Sequence, residues 1–171
     1  MKLIDFLIEP KTKHTLYIAI GASGTGKSTL LKNLRVDNPD IESFSFDDLR
    51  HEWYDKNDYG NAFKLSTADK EFNKKAHAEF KKMIKAGGDI FVDNTNLTKE
   101  RRKFYLDLAK KYNYHTIGFN MPIDVETIVA RQKTRGDKNV KESAVRDQFA
   151  RLQPGTADEF DELQVINPTK E

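Results

Sequence analysis

A nine-residue segment, GASGTGKST at 21–29, constrains the fold of this chain more than any other feature. Its first, sixth, seventh and eighth residues fill the pattern G-x-x-x-x-G-K-[ST] at the required spacing. The apolar run 15–20 before it predicts a buried strand, and the residues after it predict a helix from about Lys27 to Arg35. A strand, a glycine-rich turn and a helix in this order form a cradle for a polyphosphate, because the N–H groups of the turn and the positive end of the helix face the same anion.

The motif predicts a binding site for a nucleoside triphosphate. In this chemistry Lys27 neutralises the β and γ oxygens, and the Ser28 hydroxyl is a ligand of Mg²⁺. The other residues of the predicted ATP site contribute mainly their backbone and are Gly21, Ala22, Ser23, Gly24, Thr25, Gly26 and Thr29. GTPases, motor ATPases and nucleotide switches use the same cradle, so the motif alone does not identify a kinase.

Composition excludes several classes of protein. The chain has 171 residues, which fits a single domain, and no Cys, which excludes disulfides, thiolate zinc sites and cysteine nucleophiles. Its net charge of +2 argues against a generic nucleic-acid binder, so any basic surface must be local. No segment reads as a signal peptide or a membrane span. We therefore expect a soluble protein of a reducing cytoplasm, without a membrane partner.

Short apolar runs alternate with longer helical patterns, which predicts a three-layer α/β domain with a five-stranded parallel sheet. The predicted strands are 15–20, 41–46, 90–92, 116–119 and 163–166. A helix over about 68–86 has one apolar face and ends at Gly87-Gly88; that face consists of Phe72, Ala76, Phe80 and Ile84.

Three further helices complete the predicted pattern. Thr98 can cap the first, whose apolar face contains Phe104, Leu108 and Tyr112. Asp124 can cap the second, which runs to Gly136. The third ends near Pro154, and its apolar face consists of Val145, Phe149 and Leu152.

Carboxylates follow two of the predicted strands, at the edge where open α/β sheets bind ligands. Asp93 directly follows the run 90–92 and suits Mg²⁺ or its water, although a strand-ending Asp can also simply cap a turn. Asp47 lies in the segment SFDDLR and is a candidate for the base that accepts a hydroxyl proton, while Arg50 suits an acceptor phosphate. A helix-capping Asp with a surface Arg is the alternative interpretation.

Four segments together resemble the kinase domain of bacteriophage 5′-polynucleotide kinases and their P-loop kinase relatives. They are GASGTGKST, SFDDLR, DNTNLTKERR at 93–102 and RQKTRG at 131–136, and the similarity covers roughly residues 14 to 166. The resemblance implies a three-layer P-loop kinase fold with a helical lid at about 131–142. It divides the chain into an N-terminal extension (1–13), the kinase domain (14–167) and a C-terminal tail (168–171).

The resemblance also implies a role for each matching residue. Lys27 and Ser28 would hold ATP and Mg²⁺, Asp47 would be the general base, and Arg50 would bind the phosphate 3′ to the acceptor hydroxyl. Arg131 and Arg135, four residues apart on one predicted helix face, would be lid arginines on the ATP phosphates, with Arg135 catalytic. The pocket floor would consist of Asn94, Thr95 and Asn96. For Asp93, metal support and acceptor contact both stay open.

The implied activity is ATP- and Mg²⁺-dependent phosphorylation of 5′-hydroxyl ends of DNA or RNA, as in nucleic acid repair. If a phage encodes the chain, its location would be the host cytoplasm. Two alternatives are a P-loop kinase for a nucleoside or another metabolite, and a regulatory ATP-binding module without kinase activity. The oligomeric state stays open, a homo-oligomer included.

Two features could hold the acceptor strand. Residues 131–151 contain seven Lys and Arg against three Asp and Glu, a local net charge of +4. Trp53, Tyr54 and Tyr59 follow Asp47 closely enough to stack on a base, although aromatic residues more often belong to a core.

Overall fold

A five-stranded, wholly parallel sheet organises the chain in a computed structural model, which describes residues 13–168. The strand order is β2-β3-β1-β4-β5, so β1 lies at the centre with β3 and β4 beside it. The strands are β1 Thr15–Ile20, β2 Glu42–Phe44, β3 Ile90–Val92, β4 His115–Asn120 and β5 Glu162–Val165. The predicted α/β class and the five-stranded parallel sheet are confirmed.

Seven α-helices cover the sheet in the part of the chain that is described. They are α1 Lys27–Asp37, α2 Phe46–Trp53, α3 Tyr59–Ala68, α4 Phe72–Ala86, α5 Lys99–Lys111, α6 Val125–Gln132 and α7 Glu142–Ala150. A single 3₁₀ turn, Gly136–Lys138, lies between α6 and α7. The two predicted caps are present, since Thr98 accepts a hydrogen bond from the Arg101 N–H and Asp124 accepts one from the Thr127 N–H.

Apolar side chains pack on both faces of the sheet, as expected for parallel strands between two helical layers. On one face α4 packs its predicted stripe, and all four residues of that stripe are buried, namely Phe72, Ala76, Phe80 and Ile84. On the other face Leu30 and Leu31 of α1 pack against Phe91 and Phe119. The central strands are thereby fixed between two layers, which holds their carboxyl ends in place.

The second predicted strand is too long. It ends at Phe44, and the side chain of Ser45 accepts hydrogen bonds from the N–H groups of Asp47 and Asp48, which starts α2 at Phe46. A serine at this position satisfies two N–H groups that would otherwise lack a partner at the helix start. This cap determines where Asp47 lies, because it places the carboxylate in the first turn of α2.

The predicted lid helix is also too long. Helix α6 ends at Gln132, and Arg135 follows it in a turn, so Arg131 and Arg135 do not share a helix face. Gly136 adopts the left-handed conformation with φ of 61°, which ends helical geometry in this segment.

Helix α5 buries a face beside the predicted one. Tyr105 and Ala109 are buried, whereas Phe104, Leu108 and Tyr112 pack at the border of the core. The predicted extension 1–13 and tail 168–171 lie outside the described residues, apart from Lys13 and Pro168. Within residues 13–168, no helix combines the length and apolar character needed to cross a bilayer.

Candidate active site

Three loops at the carboxyl edge of the sheet line one cleft of about 1580 Å³. Because β2, β3 and β1 are neighbours, the residues that follow them meet there: Asp47 after β2, Asp93 after β3, and the glycine-rich loop 21–26 after β1. Pockets for a single small ligand usually measure about 300–1,000 Å³. The cleft therefore has room for a nucleotide together with a second substrate.

The glycine-rich loop has a fixed shape before any ligand arrives. Gly24 and Gly26 have φ angles of 91° and 110°, a backbone conformation that residues other than glycine rarely adopt. The buried Thr25 donates its hydroxyl to the Ala22 carbonyl at 2.7 Å, and a Cβ on Gly21 would lie 2.9 Å from the Thr25 methyl group. Glycine is thus required at these positions by conformation and by space.

Lys27 is buried at the start of α1, and its ammonium group lies within the glycine-rich loop. Its Nζ donates to the carbonyls of Gly21 at 2.9 Å and Ala22 at 2.8 Å. Burial lowers the pKa of Lys27 to about 8, with the charges of Asp93 and Asp47 opposing this shift and the charge of Arg135 adding to it. A buried cation with two weak partners is well suited to receive phosphate oxygens.

ATP affinity is therefore expected to fall as pH rises above about 8. The lowered pKa means that the free protein loses the Lys27 proton there, whereas bound phosphates favour the charged lysine, so ATP binding takes up a proton. Calorimetry at pH 8.5 in two buffers of different ionisation enthalpy measures this uptake. Lys27→Arg stays charged and should remove it, and an affinity that is constant from pH 7 to 9.5 in the wild type would contradict the assignment.

Ser28 and Asp93 form an oxygen pair beside the loop. The Ser28 hydroxyl lies 3.4 Å from Asp93 Oδ2. Burial raises the pKa of Asp93, the charge of Lys27 opposes this rise, and the charge of Asp48 adds to it. A hydroxyl and a partly desolvated carboxylate are the hard oxygen ligands that Mg²⁺ takes alongside phosphates, so these residues fit the ion.

Asp47 faces the cleft with one carboxylate oxygen held and the other open. Its Oδ1 accepts hydrogen bonds from Arg50 Nη1 at 2.6 Å and from the Tyr59 hydroxyl at 2.8 Å. Within residues 13–168, no side-chain or backbone donor reaches Oδ2. Burial and the charge of Asp47 raise the pKa of Tyr59, which keeps its hydroxyl protonated as a donor. One oxygen is thus anchored, and the other can accept a proton from a substrate.

Arg50 is held in place by α3 and by aromatic rings. Its Nε donates to the Ser66 hydroxyl at 3.1 Å, and its guanidinium lies 5.0 Å from the centre of the Phe72 ring and 5.1 Å from that of Phe63. These contacts fix the planar group beside Asp47. The predicted proximity of Asp47 and Arg50 is confirmed by their contact.

The segment 94–96 is a scaffold as well as a cleft wall. Asn94 accepts from the Phe46 N–H at 3.0 Å and donates to the Tyr105 hydroxyl at 3.2 Å, which ties the start of α2 to α5. Asn96 adopts a left-handed φ of 50° and donates its amide to the Ala19 carbonyl at 2.8 Å. The Thr95 carbonyl accepts from the Gly21 N–H at 3.1 Å. The three residues predicted for the pocket floor all line the cleft.

Both predicted lid arginines reach the cleft, but they differ in how they are held. Arg131 lies 3.3 Å from the Thr25 carbonyl and donates to the Pro168 carbonyl at 2.9 Å, so it is bound both to the loop and to the segment that follows β5. Among the described side chains, the Arg135 guanidinium donates only to Gln132 Oε1, at 3.2 Å. Turning toward a phosphate therefore breaks fewer of the described hydrogen bonds for Arg135 than for Arg131.

Two glutamines that the sequence analysis missed join this segment to the loop. Gln132 donates to the Ser23 carbonyl at 2.7 Å, and its Oε1 accepts from the Val140 N–H at 3.0 Å. Gln148 of α7 accepts from the Ser23 N–H at 2.8 Å. Gln132 follows Arg131 in the segment RQKTRG, so its position could have indicated a role near the nucleotide. Nothing in the sequence indicates such a role for Gln148.

Arg102 is fully buried, although it is a basic residue near the start of α5. Its guanidinium pairs with Glu159 at 2.9 Å and donates to the carbonyls of Asn96 at 2.9 Å and Gln153 at 2.8 Å. The pair ties the loop that follows β3 to the segment that follows α7. Removing one partner of a buried pair typically costs about 3–5 kcal/mol of stability.

The two features suggested for strand binding are only partly available. Trp53 and Tyr54 pack against Phe72 in the core, and of the three aromatic candidates only Tyr59 lines the cleft. In the basic segment Arg146 is paired with Glu126 and Glu142, and Arg151 is paired with Asp147. The basic residues of this segment that line the cleft are Arg131, Arg135, Lys138 and Arg151.

Comparison with known proteins places this geometry in a family. A family model described as an AAA domain matches residues 16–155. A protein of Autographa californica nuclear polyhedrosis virus is named as a bifunctional polynucleotide kinase/RNA ligase. It is 30% identical in an alignment of 145 residues that covers 80% of this chain. The chain spans 20% of that relative's length. The bacteriophage origin suggested by the resemblance stays a prediction.

Solved structures share the fold at low sequence identity. Chaetomium thermophilum Kti12 in complex with ADP-AlF3 has a TM-score of 0.66 at 16% identity, covering 91% of this chain and 90% of its own. A gluconokinase from Sinorhizobium meliloti 1021 has a TM-score of 0.62 at 13% identity, covering 92% and 84%. A fungal RNA kinase has a TM-score of 0.56 at 16% identity, covering 92% and 76%.

These neighbours confirm the three-layer P-loop kinase fold, and they include kinases for sugars and for RNA. The fold implies ATP as a substrate and a role for Mg²⁺. The chain belongs to the AAA domain family, and its fold is that of P-loop kinases.

Proposed function

We propose that this domain transfers the γ-phosphate of ATP to the 5′-hydroxyl of a DNA or RNA strand. The observation that carries the proposal is the pair formed by Asp47 and Arg50, which faces the phosphate loop across one cleft. A free carboxylate oxygen suits a hydroxyl acceptor, and an adjacent guanidinium suits an acceptor that has its own phosphate.

In the reaction, the 5′ oxygen of the acceptor forms a bond to the γ phosphorus, and the bond from that phosphorus to the β–γ bridging oxygen breaks. Asp47 Oδ2 receives the hydroxyl proton, and ADP leaves with the electron pair of the broken bond. Lys27 binds the phosphate oxygens, and Arg135 turns toward the charge that develops on the transferring group. Arg131 holds the loop and the lid segment together through the Thr25 and Pro168 carbonyls.

Ser28 and Asp93 would hold Mg²⁺ together with the ATP phosphates. When bound, the ion neutralises phosphate charge and aligns the γ-phosphate for attack. Asp93 lies next to Asn94, whose side chain fixes the start of α2. Asp93 therefore acts on the nucleotide through the ion, and Asn94 orients the start of α2, which contains the acceptor residues Asp47 and Arg50.

The name of the viral relative supports a polynucleotide acceptor, as does the fold shared with an RNA kinase. A small-molecule acceptor is the second candidate, because the gluconokinase shares the fold to a greater extent. Arg50 favours the first candidate, because a guanidinium next to the candidate base suits an acceptor that carries its own phosphate.

The test is transfer of labelled γ-phosphate from ATP to three acceptors: a 5′-hydroxyl oligonucleotide, a nucleoside 3′-monophosphate and a plain nucleoside. We expect strong labelling of the first two and little of the third. Labelling of the nucleoside alone would replace the proposal with a small-molecule kinase. ATP hydrolysis that no acceptor changes would instead support a regulatory module.

Arg50→Ala should raise the KM for the nucleoside 3′-monophosphate far more than the KM for the plain nucleoside. A charge-assisted contact to phosphate contributes about 1.5–3 kcal/mol, so the expected difference is about 10- to 100-fold. Arg50→Lys should recover part of it, because lysine retains the charge but lacks the fork. An equal rise for both acceptors would assign Arg50 to positioning Asp47 alone.

A further inference from the structure

Phe63 is an exposed aromatic residue that lines the cleft. Its side chain is 48% exposed, which makes it one of the few large apolar residues that the described fold leaves open to solvent. Leu65, two residues further along α3, is 42% exposed but lies outside the cleft. Exposure alone thus does not distinguish the two side chains, whereas their position relative to the cleft does.

The ring of Phe63 lies beside the groups that would bind the acceptor. It is one helical turn after Tyr59, with 6.3 Å between the ring centres, and Tyr59 donates to Asp47. The Arg50 guanidinium lies 5.1 Å from the centre of the Phe63 ring. Asp47, Arg50 and Phe63 therefore surround the same part of the cleft, on the wall formed by α2 and α3.

The other aromatic residues near Asp47 are already occupied. Phe72 is only 4% exposed, and Trp53 and Tyr54 pack against it. The Tyr59 hydroxyl is bound to Asp47, which fixes the orientation of that ring. Phe46 of α2 also lines the cleft, but it is only partly exposed and its ring packs against Phe44 and Phe72. Among the described aromatic residues of this wall, Phe63 is therefore the one with an exposed ring.

We propose that Phe63 stacks on the base of the nucleoside that presents its 5′-hydroxyl to Asp47. This inference rests on the proposed function and deepens it by assigning a subsite for the terminal base. A nucleoside carries its 5′ oxygen, its 3′ phosphate and its base on one sugar. When the 5′ oxygen lies at Asp47 and the 3′ phosphate lies at Arg50, the base lies against Phe63 on the same wall of the cleft. Stacking is tolerant of sequence because every base has a π face, so this subsite accepts all four bases.

The test compares two acceptor oligonucleotides that differ only in whether the 5′-terminal sugar carries a base. Phe63→Leu retains apolar bulk on α3 and removes the ring, and it should raise the KM for the base-bearing acceptor about tenfold, within the range measured for stacked bases. The KM for the abasic acceptor should rise much less, because that acceptor loses only the contact of the ring with Arg50 and no stacked base. Phe63→Tyr should behave as the wild type, and Leu65→Ala is the matched control on the same helix.

A second measurement does not depend on turnover. An oligonucleotide with 2-aminopurine at its 5′ end should lose fluorescence when it binds the wild type, and this quenching should be absent with Phe63→Leu. An equal rise in KM for both acceptors, or quenching that persists in the variant, would overturn the subsite. Phosphorylation of the acceptors by the wild type tests the proposed function separately. If the wild type phosphorylates them but the effect of Phe63→Leu does not depend on the base, the subsite is wrong and the proposed function stands.

Discussion

Asp47→Asn is expected to bind ATP as the wild type does and to lose about 10²- to 10⁴-fold in the rate of phosphate transfer, the usual contribution of a positioned base. The amide retains the shape of the side chain and can still accept at the oxygen that contacts Arg50 and Tyr59. It cannot take a proton from the acceptor hydroxyl. The loss should therefore appear in kcat, with the KM for ATP little changed.

Asp48→Asn is the matched control for this experiment. Asp48 is the next residue of α2, is exposed, lines the cleft and contributes its N–H to the same Ser45 cap, but it makes no contact with Arg50 or Tyr59. We expect its transfer rate to stay within a few-fold of the wild type. Single-turnover transfer by Asp47→Asn at the wild-type rate would show that the carboxylate is not the base.

Arg135→Ala is expected to slow transfer by about 10³-fold or more, the lower end of the range for arginines that stabilise a transferring phosphoryl group. The structure supports Arg135 over Arg131 for this role because, among the described side chains, the Arg135 guanidinium donates only to Gln132, whereas Arg131 is bound to backbone carbonyls. The effect should fall on the chemical step, measured by rapid mixing at saturating ATP and acceptor.

Lys133→Ala provides the control for charge, since Lys133 is exposed in the same turn and does not line the cleft. Its removal lowers the net charge by the same amount, and transfer should be nearly unaffected. A loss of similar size in both variants would mean that the segment acts only through its overall positive charge. Arg135→Lys should recover part of the rate if position as well as charge matters.

The parts of the site that the sequence predicted are those set by short spacing or by the sheet itself. The loop 21–29 folds through its own glycines and the helix that follows, so its pattern is sufficient to predict its shape. Asp93 was predictable because the residue after a parallel strand must emerge at the carboxyl edge. The buried stripe of α4 followed from a four-residue repeat that no competing signal interrupts.

The parts that sequence reasoning missed depend on contacts between distant residues. Ser45 ended a strand that apolar character alone would have extended, because its hydroxyl satisfies two helix N–H groups. Helix α3 lacks a strong apolar stripe, although it brings Tyr59 to Asp47. Arg102 is a basic residue that the core accepts because Glu159, 57 positions away, neutralises it.

The hydrogen bonds of Gln132 and Gln148 to Ser23 couple the conformation of the glycine-rich loop to the stability of helices α6 and α7. Both backbone polar groups of Ser23 are held by side chains that lie more than 100 positions away. Any nucleotide that changes the backbone at Ser23 changes the stability of α7 by the same free energy with which α7 changes nucleotide affinity. Protection of the α7 amides from hydrogen exchange is therefore a gauge of nucleotide occupancy, readable in a helix that lies more than 100 positions after the loop.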